Sequence, residues 1–454
     1  MTARWTTGEQ SFGRAASSVP RRRTDRGIVD WLLVIAVIAL MALSNYALEY
    51  FGIPYDSSTG SIISKIHPAT YLFAIALALT VIANRNPVGY ALGLLMRCLG
   101  STCLLIASLF LWFFISRYKP DYSASFLIDA LMLAALISML FADADEHARL
   151  NVARAVHILL VLNCVIAIVE RLTGARLFPF VIDGRAQTWD YRATALLGHP
   201  LVGALITGVY AVILMTVRDI RGLNERWRLP IVLLCMATMP FLGSRTSFTI
   251  VYATAAGIVG LEALRFLRGG AIPIRALLRL IVLGTLGVIA ITAMFQAGLF
   301  DNFLDRFSDD SGSAETRVLL FHLFDNFSLR DLLIGQGFFA LETNIRLNGL
   351  TNGIESSWAG HLVRYGLVMS AVLWFGIAGW FVDMLRAGGR GAILPLAFVF
   401  LVISTSVGIS AKTTMLTIPT ILILALIAKA PDVGVSTPAA EDDLPERVRP
   451  PTAG

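Results

Sequence analysis

The stretch IVDWLLVIAVIALMALSNYAL, residues 28–48, decides the fold. It carries one charged residue, Asp30, and is long enough to cross a hydrocarbon core of ~30 Å, which takes about 20 apolar residues. The Arg-rich segment 1–27 precedes it, as in a secretory signal, but no small-residue cleavage site follows. We therefore interpret the stretch as an uncleaved first transmembrane helix.

The rest of the chain repeats this pattern. Of its 454 residues, 56% are hydrophobic and 15% charged, whereas soluble domains carry roughly a quarter charged residues, and the mean hydropathy is +0.71. We count about twelve apolar runs, at roughly 28–48, 67–83, 88–116, 122–141, 150–170, 195–217, 229–243, 246–266, 274–297, 357–385, 391–408 and 413–429. These predict an all-α, multi-pass integral membrane protein of about twelve helices, with a large outer (periplasmic) loop between the ninth and tenth.

The basic residues predict the orientation. If the N-terminus is cytoplasmic, 22 of the 37 Lys and Arg residues fall on the inner side, and the short outer loops hold five. The positive-inside rule then puts both termini in the cytoplasm. This divides the chain into a cytoplasmic segment 1–27, a transmembrane domain 28–429 with long outer loops at about 171–194 and 298–356, and a disordered cytoplasmic tail 430–454.

Two classes of site are not expected. The net charge of +6 is spread over short clusters between the apolar runs, so no nucleic-acid partner is predicted. The four cysteines, Cys98, Cys103, Cys164 and Cys235, lie inside apolar segments without metal-ligand spacing. Neither a metal nor another cofactor is therefore predicted.

The unusual polar residues collect on the predicted outer side. They are Arg185, Arg192, His199, Arg245, Glu315, Arg317, His322, Glu355, His361, Arg364 and Lys412. Several arginines at a lipid boundary suit a pyrophosphate, because each guanidinium offers a planar fork of donors to phosphate oxygens. Arg245, between two apolar runs, is the strongest candidate, although a turn arginine also snorkels to the interface. Arg192 has an alternative as an ion pair with Asp183 or Asp190.

The large outer loop contains an amphipathic pattern. Residues 314–327 place six apolar side chains on one stripe, with His322 opposite: Leu319, Leu320, Phe321, Leu323, Phe324 and Phe327. A helix on the membrane surface or over the bundle is predicted. Arg317 lies near Glu315, with which it also forms a solvated pair in the alternative interpretation.

The end of this loop leads into the tenth run. Asn352 and Glu355 have the spacing of a capping box, in which Glu355 bonds back to a backbone donor. Ser357, His361 and Arg364 then follow on one helix face, which must be turned toward protein or water. His199, which precedes Pro200, in the same way either begins a helix or contributes to a site.

Four motifs resemble the O-antigen ligase and O-antigen polymerase family of bacterial inner-membrane proteins. They are RATALLGHP (192–200), GSRTS (243–247), ETRVLLFHLF through IGQGFF (315–339) and ESSWAGHLVRYG (355–366). The resemblance implies metal-independent transfer of a glycan from a polyprenyl-pyrophosphate carrier to an acceptor glycan or lipid, with other polysaccharide assembly proteins as further partners. It implies pyrophosphate binding by Arg192, Arg245 and Arg317, with Glu355 as the general base. The supporting residues would be His199, His322, His361 and Arg364.

One departure affects the assignment within this family. Ligases usually carry His-Asn where this chain has Glu355 and Ser356, which favours the polymerase-like or exopolysaccharide branches. Two other classes stay open: a secondary transporter, which about twelve spans also suit, and a non-catalytic subunit of a polysaccharide assembly system. The internal repeat that many transporters show is not evident here.

Overall fold

The computed structural model describes residues 23–56, 61–179, 181–182, 185–186, 192–269, 319–350, 354 and 356–428, with isolated positions between 285 and 301. Within these ranges the chain is helical apart from one two-residue antiparallel pair, which confirms the all-α class. Four helices are long and apolar enough to cross a membrane, at Leu99–Tyr118, Glu146–Thr173, Arg245–Leu267 and Ser357–Ser404. They indicate a membrane protein. The count of twelve spans and the orientation stay predictions.

The helices follow the apolar runs in order. Their bounds are α1 Arg23–Ala42, α2 Asn45–Tyr50, α3 Pro68–Ile82, α4 Pro87–Arg97, α5 Leu99–Tyr118, α6 Leu133–Asp143 after a π-helical turn Leu127–Met132, α7 Glu146–Thr173, α8 Pro200–Thr216, α9 Glu225–Leu242, α10 Arg245–Leu267, α11 Leu329–Ile334, α12 Phe338–Leu347, α13 Ser357–Gly388, α14 Ile393–Ser404 and α15 Thr417–Leu426. Short 3-10 turns lie at Ile63–Lys65 and Gly389–Ala392, and the strands β1 Val181–Ile182 and β2 Arg185–Ala186 pair between α7 and α8.

Two predicted runs are divided by polar groups. The run 88–116 becomes α4 and α5 because the backbone leaves the helical region at Cys98 (φ −110°, ψ 52°). The Thr102 hydroxyl donates to the Leu95 and Cys98 carbonyls at 2.8 and 2.9 Å, so carbonyls at this break keep partners in an apolar setting. In the same way, the run 28–48 ends as a separate short helix, α2, which Ser44 caps.

The interior of the bundle is closely packed around α5 and α13. A Cβ on Gly100 would lie 1.9 Å from the Gly379 carbonyl oxygen, so the two backbones approach as only small residues allow. Trp380, one residue further on, is fully buried and donates its indole N–H to the Thr420 hydroxyl at 3.2 Å on α15. By contrast the second half of α10 is almost wholly exposed, as a lipid-facing helix would be.

The large loop packs against a kink in α13. Gly366 has φ 73° inside this helix, and a Cβ there would lie 2.3 Å from the Leu333 carbonyl oxygen at the end of α11. Gly335 meets the other side of the kink, because its own Cβ would lie 2.3 Å from the Arg364 carbonyl oxygen. Both positions need glycine, which adopts positive φ without steric cost. The IGQGFF motif is therefore the place where the large loop packs against the helix bundle.

The amphipathic prediction for this loop holds only in part. Leu323 is buried, and Leu319, Leu320, Phe324 and Phe327 pack around the same small core. Phe321 does not join them, since 72% of it is exposed. At 3.6 residues per turn the other five side chains share one helix face, and Phe321 falls roughly 130° from its centre, so the prediction was wrong to include Phe321 in the stripe.

Candidate functional site

The RATALLGHP segment is fixed to α7 through its backbone. Glu170, 5% exposed within α7, accepts the Thr194 and Ala195 amides at 2.8 and 3.0 Å. Two turns earlier in the same helix, the Asn163 side-chain oxygen accepts the amides of residues 196 and 197, both at 3.2 Å. A carboxylate and an amide inside an apolar helix therefore fix this segment as an ordered loop. The sequence interpretation did not select these two residues, although polar groups in a span are the signal that could have identified them.

The same segment contains two left-handed backbone positions. Ala195 has φ 45°, which costs a non-glycine residue roughly 1–3 kcal/mol and persists only where the surroundings fix it. Gly198 has φ 75°, and a Cβ there would lie 2.6 Å from the Ser44 Cβ. The segment is thus held in one strained shape between α7 and the end of α1, as expected for a preorganised binding loop.

This segment also joins the turn that carries Arg245. The Ala193 amide donates to the Phe241 carbonyl at 2.9 Å, near the end of α9. The chain then turns at Gly243 (φ 68°), and Ser244 caps α10 by accepting the Ser247 amide at 3.3 Å. Arg192 precedes the bonded alanine, and Arg245 is the first residue of α10. The bond from Ala193 to Phe241 therefore brings the segments of two half-buried arginines, Arg192 and Arg245, to one rim, at the end of the bundle that is predicted to be outer.

The position of Arg245 favours an anion. A cation in the first helical turn opposes the helix dipole, at a cost of about 0.3–1 kcal/mol. A phosphate at a helix N-terminus has the opposite sign and is stabilised both by the dipole and by backbone amides. The rim therefore combines two guanidinium groups with a helix end that suits phosphate.

A cavity of about 220 Å³ lies at the same end of the bundle, between α1, α8 and the segment that precedes α15. Its polar lining includes Ser44, Asp56, His67, His199 and Lys412. His199 caps α8, because its Nδ1 accepts the Leu201 amide at 3.2 Å. His199 thus begins the helix and also lines the cavity, and its contribution to a functional site stays a prediction.

A buried carboxylate organises the floor of this cavity. Asp129, 2% exposed, accepts the Tyr55 hydroxyl at 2.8 Å and the Thr70 hydroxyl at 2.7 Å. It also accepts the His67 amide, at 3.1 and 3.2 Å to its two oxygens. These bonds join residues 59 to 74 positions apart in sequence, so no local pattern predicted them.

Lys412 lies against this network. Its Nζ lies 3.5 Å from the centre of the Tyr55 ring and donates to the Tyr55 carbonyl at 2.7 Å. Burial lowers the pKa of Lys412 to about 8, with Asp129 and Asp56 acting in the opposite direction. Burial also raises the pKa of Tyr55. At neutral pH the cavity therefore presents a mostly protonated ammonium.

The stripe Ser357, His361 and Arg364 supports the cavity rather than lining it. The Ser357 hydroxyl donates to the Ser406 carbonyl at 2.6 Å, and Arg364 donates to the Ser410 carbonyl at 3.4 Å. His361 is fully buried beside Phe126 and Tyr365, at ring distances of 6.5 and 6.1 Å. Neither of its ring nitrogens has a hydrogen-bond partner among the residues described. The stripe docks the segment that carries Lys412 onto α13.

The remaining predicted residues are of two kinds: three lie outside the described part of the chain, and His322 lies away from the cavity. Glu355 and Arg317 lie outside the described residues, as does Asn352 of the predicted capping box. The side chain that caps α13 is Ser356, which accepts the Ala359 amide at 3.5 Å. His322 is exposed in the large loop, where its Nδ1 lies 2.9 Å from Asp325, and it is not part of the cavity lining.

Nothing in the described residues suggests a metal centre, since they contain no cluster of three or more His, Cys, Asp or Glu side chains suited to one. Comparison with known proteins adds no assignment: no protein-family model matches the chain, and no curated protein matches it.

Proposed function

We propose that the protein transfers a glycan from a polyprenyl-pyrophosphate carrier to an acceptor glycan or lipid at the outer face of a bacterial inner membrane, as an exopolysaccharide or O-antigen polymerase or ligase. The observation that carries the proposal is the shared rim of Arg192 and Arg245 beside the N-terminus of α10. Two cations and a helix end at a membrane boundary suit a pyrophosphate whose other end is a lipid.

The reaction assigns each group a task. The acceptor hydroxyl oxygen attacks the anomeric carbon, a new glycosidic bond forms, and the bond to the carrier pyrophosphate breaks. The hydroxyl proton passes to a base, for which Glu355 is our candidate, and the pyrophosphate leaves on its lipid. Negative charge grows on the leaving group, and fixed guanidinium groups stabilise it more in the transition state than in the substrate.

The cavity beside the rim supports this function as a place for the sugar. Its volume of about 220 Å³ and its mixture of hydroxyl, imidazole, carboxylate and ammonium groups suit a polyhydroxylated ligand. Lys412 and His199 reach it from different segments, and both segments are held by the backbone bonds described above. We assign the carrier to the rim and sugar hydroxyls to the cavity.

The test is glycan transfer by purified protein in proteoliposomes that contain a polyprenyl-pyrophosphate-linked glycan and an acceptor. We expect Arg192→Ala and Arg245→Ala each to lower transfer by ~10²-fold, the size of effect seen when one charge-stabilising donor is removed. Glu355→Gln should lower it at least as far. The matched control is Arg346→Ala, an exposed arginine of the large loop that pairs with Glu342.

The same experiment separates the alternatives. Uptake of a solute without glycan transfer would replace our proposal with a secondary transporter. Transfer that begins only when a second protein is added would make this chain a non-catalytic subunit. Equal activity in the Arg245→Ala and Arg346→Ala proteins would remove the rim from the mechanism.

A further inference from the structure

A second polar cavity lies at the opposite end of the bundle. Its volume is about 460 Å³, and its lining draws on α4 to α7, the α8–α9 connection, α13 and the end of α15. Four arginines contribute to it: Arg97, Arg149, Arg221 and Arg386. Two carboxylates, Glu146 and Asp383, also line it, so the lining has an excess of positive charge. The charge pattern predicts this end to be cytoplasmic.

Two of the arginines, Arg149 and Arg221, form part of the cavity wall through bonds to backbone carbonyls. Arg149 donates to the Ala144 carbonyl at 3.1 Å and to the Leu424 carbonyl at 3.2 Å. Arg221 donates to the Ala425 carbonyl at 2.6 Å and pairs with Glu146 at 2.5 Å. These guanidinium groups bond carbonyls near the C-terminal ends of α6 and α15, which lack partners within their helices. Their first role is structural, but their positive charge remains in the cavity.

The other two arginines are differently placed. The Arg97 side chain is 50% exposed and the Arg386 side chain 72% exposed. Their ion pairs are long, 3.8 Å from Arg97 to Asp143 and 4.0 Å from Arg386 to Asp383, compared with about 2.7–2.9 Å for a charge-assisted hydrogen bond. Arg97 also lies 5.9 Å from the Tyr90 ring, a contact that leaves the guanidinium edge accessible. Both arginines can therefore turn donors toward another anion.

A buried hydroxyl is the second indication of a ligand. Ser101 lines the cavity and is fully buried, and its Oγ has no hydrogen-bond partner within the described part of the chain. An unpaired buried hydroxyl is unfavourable, and a ligand oxygen would supply its missing hydrogen bond. Its backbone amide is already used, because it donates to Asp383 at 2.7 Å. The Ser101 hydroxyl therefore remains as a donor beside Asp383, whose carboxylate pairs with Arg386.

We propose that this cavity binds the phosphate group of an anionic lipid headgroup from the inner leaflet, held by Arg97 and Arg386 with Ser101 as a further donor. A basic cavity between membrane helices at the cytoplasmic side suits such a headgroup, and the adjoining apolar helix surfaces suit its acyl chains. The site is separate from the rim and cavity at the other end. It would anchor the bundle in membranes that contain acidic lipids.

The experiment measures lipid retention by the full-length protein in detergent, using native mass spectrometry. Phosphatidylglycerol, phosphatidylcholine and inorganic phosphate are titrated in separate arms. Phosphatidylglycerol should bind the wild type, and the Arg97→Gln/Arg386→Gln protein should bind it at least ~10-fold more weakly, because each arginine near an anionic lipid surface is worth ≈ 1 kcal/mol. Since both side chains are half or more exposed, this variant should fold.

A control variant and the phosphatidylcholine and phosphate titrations distinguish this site from the alternatives. Arg226→Gln/Arg268→Gln removes the same charge from two exposed arginines at the predicted cytoplasmic side but outside the cavity lining, and should keep wild-type retention. Equal loss in both double variants would overturn the site in favour of general surface charge. Phosphatidylcholine carries the same phosphate diester but no net charge, so its equal retention would overturn the selectivity of the site for an anionic headgroup. Retention of inorganic phosphate without retention of phosphatidylglycerol would overturn the lipid assignment.

Discussion

Replacing Asp129 with alanine should destabilise the protein, because Asp129 holds together the floor of the cavity of about 220 Å³. The substitution leaves three buried donors without their acceptor: the Tyr55 hydroxyl, the Thr70 hydroxyl and the His67 amide. Each unsatisfied buried donor costs about 1–3 kcal/mol. Because neighbouring losses do not add fully, we expect the free energy of unfolding to fall by about 3–5 kcal/mol.

The assay is reversible unfolding of the detergent-solubilised protein, followed by circular dichroism. Asp121→Ala is the matched control, because Asp121 is exposed and should change stability by no more than about 0.5 kcal/mol. Tyr55→Phe adds a double-mutant cycle in which Asp129→Ala should cost less than in the wild type. If Asp129→Ala were as stable as Asp121→Ala, the network would not hold the cavity together.

Three further predictions concern the supports of the site. Glu170→Ala removes the acceptor of the Thr194 and Ala195 amides, so proteolysis between α7 and α8 should become faster. The helix content measured by circular dichroism should be retained. An unchanged rate of cleavage would show that the loop does not depend on Glu170. Gly366→Ala should lower the free energy of unfolding by about 2–4 kcal/mol, because it combines positive φ with a backbone clash. Gly360→Ala is the control: its Cβ would meet its nearest neighbour at 3.4 Å, so the loss in the same assay should be about 1 kcal/mol or less. Equal losses would contradict the role of Gly366 in the kink. The pKa of Lys412 is about 8 in the folded protein and ordinarily 10.5, so between pH 8 and pH 10.5 the unfolded chain binds one more proton than the folded protein. The free energy of unfolding should therefore rise with pH over this range in the wild type relative to Lys412→Met. Parallel pH profiles of the two proteins would refute this.

The sequence predicted the helices better than their interruptions. Apolar runs report where a helix can lie in lipid, so the run 67–83 and the helix Pro68–Ile82 agree closely. The break at Cys98 depends on a single threonine that bonds the carbonyls around the gap, and hydropathy does not register such a bond. The kink at Gly366 depends on a partner in the large loop, which is equally invisible in a local window.

The arginines of the candidate site were predictable from the sequence, whereas the buried carboxylates that support it were not. Arginine in an apolar context marked Arg192 and Arg245, and the structure brings their segments together through the bond from Ala193 to Phe241. The groups that hold the site, Glu170 and Asp129, each satisfy donors far along the chain. Their importance arises from tertiary contacts, which one sequence does not contain.

The most direct test of the central proposal is to follow the carrier itself. Proteoliposomes that contain only the purified wild-type protein, a polyprenyl-pyrophosphate-linked glycan and an acceptor should release polyprenyl pyrophosphate and form the enlarged acceptor in equal amounts, as mass spectrometry would measure. An intact carrier-linked glycan after prolonged incubation of correctly folded protein would contradict the proposal that this protein alone performs the transfer.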